Sequence, residues 1–237
     1  LGDVYKRQIN AFATPGGVIV INSGLIRKTK TEAELASVLA HEIAHVKARH
    51  LSRMHEESSK VNISTALSVL ATVIAGTYST GALGKTLITG QNVKAAQLTN
   101  FIREHEKEAD RLAINILVNA NINPKAMSDF FETLQKENDD RGALEFLRTH
   151  PLTENRISET LSLASKYKGN FTNDSFAYQF TSVKVSIEKI NTKNFIKNYK
   201  YNAELTKASS GRIVDDYAYG LELIKEKKYK LGKEVLN

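Results

Sequence analysis

The chain has 237 residues, 41% of them hydrophobic and 25% charged, with a formal net charge of +7 and no cysteine. That composition excludes wholesale disorder and gives room for one good core and a second small module. The lack of cysteine excludes disulfides and thiolate metal sites, so any metal has to be held by His, Asp or Glu. From Lys166 to Asn237 there are 14 Lys and Arg against 8 Asp and Glu, so the positive charge belongs to the tail and the rest is nearly neutral. No nucleic-acid-binding motif accompanies it.

In chain order, the first eight residues, LGDVYKRQ, resemble a translated sequencing adapter and read as a non-native leader. No initiator Met and no signal peptide is legible, so the chain reads as an interior fragment. The apolar runs INAFA and VIVI flank Pro15-Gly16-Gly17 and predict a small antiparallel hairpin. Thr31 with Glu34 forms a capping box ahead of Leu35, Val38, Leu39, Ile43 and Val46, spaced for one helix face. That helix is expected from about Glu32 into the fifties. Val61 to Gly84 carries no charged side chain, but Gly76, Gly81 and Gly84 interrupt it. It reads as a mobile loop or helical hairpin over a cleft or against a membrane surface, in preference to a membrane span; a buried core helix is the other reading. A long helix follows from about Gln91 to Val118. Asn123 and Pro124 open the next, with Met127, Phe130, Phe131 and Leu134 inward. Thr153 caps one more, carrying Ile157, Leu161 and Ala164. After Lys168 lysine becomes more frequent, and seven of the nine tyrosines lie from Tyr167 onward. The expected division is a catalytic domain over 9–168 and a helical tail over 169–237.

His41-Glu42-Ile43-Ala44-His45 is an HExxH motif inside the first predicted amphipathic helix. Residues four apart lie on one helix face a turn apart, so both imidazoles can reach one Zn2+, while Glu42, rotated about 100 degrees, meets the open coordination position. A catalytic zinc needs a third protein ligand. The position that would carry a third histidine in a longer form of this motif holds Leu51, with His50 one residue off. The remaining candidates are Glu104, Glu106 and Glu108 on the long helix, and helical phase alone does not choose among them.

HEIAHVKARH, then EKEAD some sixty residues later, then THPLTENRI, together with INAFATPGG and INSGLI, resemble the gluzincin metallopeptidase family. That family contains the CAAX prenyl endopeptidases, the HtpX heat-shock proteases and the periplasmic peptidases of BepA type, the last being the nearest branch. The resemblance covers about residues 9 to 165. It implies an α+β, mainly α fold: a helical zincin-type domain with a small antiparallel sheet, then a helical tail. It implies one Zn2+ held by His41, His45 and Glu106, the Glu of an ExxxD pattern, with Asp110 a turn on as acceptor for a ligand imidazole. His150 stands where BepA-type members carry a histidine near the metal. It is expected either as a reversible fourth ligand that blocks the water or as a donor on the oxyanion side. Arg156 would pair with Asp110 or bind a substrate carbonyl.

The implied reaction is peptide hydrolysis, with Glu42 as general base on the water and as proton donor to the leaving amine. The hairpin near Asn10 to Ala13 offers an edge that could align substrate as an added strand. In the tail, Asp216-Tyr217-Ala218-Tyr219-Gly220-Leu221 and Lys228-Tyr229 resemble the start of a tetratricopeptide unit, which needs further repeats to bury its face. The expected partners are unfolded or misassembled protein substrates, the outer-membrane assembly machinery through the repeats, and a membrane surface through Val61 to Gly84. The expected location is the periplasm. Two rival expectations are a zinc-containing chaperone or binding module with a closed metal site, and an integral-membrane protease of HtpX type.

Overall fold

The computed structural model describes residues 8–14, 16–59, 90–136, 146–172, 174–186 and 210–237. These residues are mainly helical with one two-stranded antiparallel sheet, an α+β, mainly α fold. The chain divides into two compact units, residues 1–172 and 173–237.

The first unit opens with strands β1 (Ala11–Ala13) and β2 (Ile19–Ile21), paired in the register Ala11 with Ile21, Phe12 with Val20 and Ala13 with Ile19. Gly16 and Gly17 sit at φ +98° and +82°, a backbone that side-chain-bearing residues resist, which is why the turn falls there. Helix α1 (Ser23–Lys28) leads to α2 (Glu32–Lys47), whose start is closed by Glu34 N donating to Thr31 Oγ1. The Glu34 carboxylate returns to the backbone N–H of Lys30, one residue earlier than a standard capping box reaches.

The expected continuous helix into the fifties is in fact two. α2 ends at Lys47, Arg49 takes φ 54°, and α3 (His50–Ser59) starts in a new direction. Nothing in an arginine signals a left-handed backbone, whereas a glycine or asparagine there would have. Helices α4 (Gly90–Asn119), α5 (Ala126–Lys136) and α6 (Glu154–Ala164) follow among the described residues, and Thr153 caps α6 as expected. The segment Val61 to Gly84 lies outside the described residues. Among the described residues no helix is long and apolar enough to cross a membrane.

Helix α2 packs on α4, on α5 and on β1. Ala40 and Ala44 on α2, and Ala109 and Ala113 on α4, are all buried, and such small side chains let two helix backbones approach closely. Leu25, Phe130, Leu134 and Leu117 fill the core beneath. Thr172 donates to the carbonyl of Asn121 through both its backbone N–H and its hydroxyl, fastening the last residue of this unit to the end of α4.

The second unit contains α7 (Phe176–Ser186), α8 (Ser210–Lys225) and α9 (Tyr229–Leu236). Helices α8 and α9 form a tight hairpin around Lys227 at φ 63°. A Cβ on Gly232 would lie 3.0 Å from Ile224, and one on Gly220 only 2.5 Å from Leu236, so both glycines permit the close crossing.

Candidate metal centre

Four residues from three parts of the fold converge on one buried point. His41 and His45 come from adjacent turns of α2, Glu106 from α4, and His150 from the segment before α6. His45 Nε2 lies 2.9 Å from His41 Nε2, and His150 Nδ1 lies 3.2 Å from His41 Nε2. Glu106 Oε2 is 3.3 Å from both His41 Nε2 and His150 Nδ1, and its Oε1 is 3.3 Å from His45 Nε2. A tetrahedral ion with metal–nitrogen lengths of about 2.0–2.1 Å has its donor atoms about 3.3 Å apart. The five separations given, 2.9–3.3 Å, lie near that figure, and the whole donor set lies within 4.8 Å.

Two carboxylates face the far nitrogens of these rings. His41 Nδ1 lies 3.0 Å from Asp110 Oδ1, and His150 Nε2 lies 3.2 Å from Glu42 Oε1. Both are close contacts outside hydrogen-bond geometry, and His41 Nδ1 and Glu42 Oε1 are buried without a hydrogen-bond partner among the described residues. On the near side, ring nitrogens this close repel unless a proton or a metal ion lies between them. The donors present, three imidazoles and a carboxylate, are the set such an ion takes in a chain without cysteine.

Helical phase and burial separate the three glutamates. Glu104 is exposed and pairs with Lys107. Glu108 is partly exposed and meets Arg53 and His50. Glu106 is buried among the histidines, in line with Ala109, Asp110 and Ala113 on the face that packs on α2.

Arg156 lies behind the cluster, buried and fully engaged. Its Nε and Nη2 each donate to Asp110 at 2.7 Å, Nη1 donates to the Pro151 carbonyl and stands 2.9 Å from Glu106, and its guanidinium rests over the Phe131 ring. It therefore braces the carboxylates from within. Of the two pairings foreseen for Arg156, the one with Asp110 is what the fold presents.

The charges are strongly coupled. Burial disfavours a proton on His41, but the Asp110 and Glu106 carboxylates beside the ring outweigh it and raise it to about 9. Burial and the neighbouring His41 lower His45 to about 4. Burial works to raise the Glu106 carboxyl, yet His150 and Arg156 hold it well below the usual range. Asp110 is likewise held down by Arg156 against its burial.

Residues 3–164, well over half of the chain, match the profile of Peptidase family M48. The chain belongs to that family. Curated M48-like relatives include a "Beta-barrel assembly-enhancing protease" of Yersinia pestis, 33% identical over 98% of this chain and 48% of its own length. One of the same name from Escherichia coli K12 is 37% identical over 68% of this chain and 33% of its own length. A mitochondrial metalloendopeptidase of Schizosaccharomyces pombe is 32% identical over 62% of the chain and 41% of its own length. The chain thus spans about half, or less, of the curated relatives it matches. The M48 match accords with the motif-based resemblance and embraces all four converging residues.

One neighbour of this M48 cluster escaped the motif reading. His50, noted only as a displaced third histidine, lies with Nδ1 2.9 Å from Nδ1 of His45. Its position depends on the break at Arg49, which the sequence does not signal.

Proposed function

We propose that this chain carries the catalytic domain of a zinc-dependent metalloendopeptidase, with the ion held by His41, His45 and Glu106 and with Glu42 as general base. The observation behind it is the convergence of three imidazole nitrogens and a carboxylate at 2.9–3.3 Å, next to the Glu42 carboxylate. Zinc bound there supplies a Lewis acid for a peptide carbonyl and makes a water easier to deprotonate. Glu42 takes the proton from the attacking water and hands it to the leaving amine. Asp110, pinned by Arg156, fixes the ring of His41. The edge of β1 lies beside α2 and can align a substrate strand.

By the motif resemblance, the chain acts on misassembled envelope proteins in the periplasm, with residues 173–237 as helices of a tetratricopeptide array that contacts the assembly machinery; relatives named beta-barrel assembly-enhancing proteases support the link to β-barrel assembly. Helices α8 and α9, pressed together at Gly220 and Gly232, suit such a unit.

A second reading concerns the state of the site. His150 lies within contact of His41, Glu106 and Glu42 at once, which supports its reading as a reversible fourth ligand beside the general base. In this arrangement the site is shut, and hydrolysis requires His150 to swing out. Casein cleavage by the zinc-loaded chain decides between the readings. Cleavage that Glu42→Gln abolishes supports the peptidase. No cleavage by the native chain or by His150→Ala overturns it in favour of a closed binding module.

A further inference from the structure

Each metal-facing histidine of α2 needs something to hold its far nitrogen, and the two solve this differently. For His41 the partner is the buried Asp110 carboxylate. For His45 the far nitrogen, Nδ1, meets another imidazole: Nδ1 of His50 at 2.9 Å. His50 in turn places Nε2 3.1 Å from Glu108 Oε2, and Glu108 takes a hydrogen bond of 2.9 Å from Arg53.

The carboxylate sets the direction of this chain. Glu108 can only accept, so His50 donates from Nε2 and presents a lone pair at Nδ1. That lone pair accepts the N–H of His45 Nδ1, and His45 is left with its Nε2 lone pair aimed at the converging donors. The opposite tautomer of His45 would point an N–H at the place of the ion.

The ring of His50 is held as firmly as its nitrogens. It is 2% exposed and stacks on His105 at a centroid separation of 4.2 Å and an interplanar angle of 11°. Neither ring nitrogen of His105 has a hydrogen-bond partner among the described residues, so His105 serves as a flat platform and does not compete for the chain. The left-handed backbone at Arg49 ends α2 and brings His50 round to face His45. On an uninterrupted helix, residues five apart would stand about 140 degrees apart, and the two rings would not meet.

We propose that His50 is a positioning residue for the metal: through its two nitrogens it couples the exposed Glu108–Arg53 pair to His45 and fixes the metal-binding tautomer and orientation of that ligand. The inference rests on the zinc site proposed above. A ligand histidine held in this way gains basicity, and loss of such a support typically costs about 10- to 100-fold in metal affinity.

The test is zinc affinity of the whole chain, measured by competition with a chelating dye. His50→Phe keeps a flat ring on His105 but removes both nitrogens, and is expected to weaken zinc binding about 10- to 100-fold. His50→Asn restores an acceptor where Nδ1 stood and should recover most of that loss, which a packing role alone would not give. Glu108→Ala, at a partly exposed helical position, should weaken binding several-fold with the fold intact, and decides the matter if His50→Phe does not fold. Native affinity in both His50→Phe and Glu108→Ala overturns the proposal while leaving the zinc site standing. Failure of the native chain itself to bind zinc overturns both.

Discussion

The duties of individual residues depend on which neighbours hold their protons. Glu106→Gln should abolish stoichiometric zinc, since it removes the only carboxylate among the four converging residues, whereas Glu104→Gln, on the exposed face, should leave it unchanged; metal analysis of the purified variants checks both. His150→Ala should raise casein cleavage several-fold, limited by the fraction of time the native site is already open, and should weaken zinc binding in the same protein. Zinc uptake should also depend on pH. In the metal-free chain His41 keeps a proton up to about pH 9, and a ligand nitrogen must lose it. Affinity should therefore climb about tenfold per pH unit towards pH 9 and level off above it, with proton release visible by calorimetry in buffers of different ionisation enthalpy. The same raised value stabilises the metal-free fold fully below 6.5, and that contribution fades as pH rises through about 9. Arg156→Leu should cost about 3–5 kcal/mol by denaturant unfolding, because Asp110 and Glu106 would be left buried without their cation.

Secondary-structure elements explain what could be read in advance and what could not. The capping Thr31, the apolar spacing of Leu35, Val38 and Leu39, and the small Ala40 and Ala44 are local signals, and α2 starts where they put it, whereas Ile43 and Val46, read as part of the same inward face, are exposed. The hairpin at Gly16 and Gly17 is legible for the same reason, since positive φ has a sequence signature. The choice of Glu106 over Glu104 and Glu108 has no local signature, because all three share one helix and only the packing of α4 on α2 sets the inward face. The resemblance to a known motif supplied it. The change of direction at Arg49 had neither a local signal nor a motif behind it, and with it went the placement of His50. Where α2 meets α4, Ala109→Leu should destabilise by about 1–3 kcal/mol and lower zinc affinity together, since a larger side chain pushes Glu106 away from the histidines. Thermal unfolding with and without zinc would show the two effects.

For the molecule as a whole, metal and fold are linked. The ion would bridge α2, α4 and the segment before α6, three parts of the first unit that are distant in sequence. Zinc at a hundred times its dissociation constant should therefore add about 2.7 kcal/mol to the stability of that unit, and chelation should remove it reversibly. The second unit, residues 173–237, contributes none of the four converging residues. Its melting should not respond to zinc, so calorimetry should resolve one transition that moves with the metal and one that does not.

The bend at Arg49 also alters what counts as the portable part of this site. A search or a graft that stops at His45 would copy two ligands and a base but leave one ligand ring free to turn over. A search that runs further and finds His50 would mistake a brace for a displaced ligand. The unit that can be transplanted runs from His41 through the left-handed turn to His50, and it requires a carboxylate opposite, as Glu108 is here. Its length is fixed: one residue inserted between Lys47 and His50 would carry the brace past its ring and leave the five-letter motif untouched.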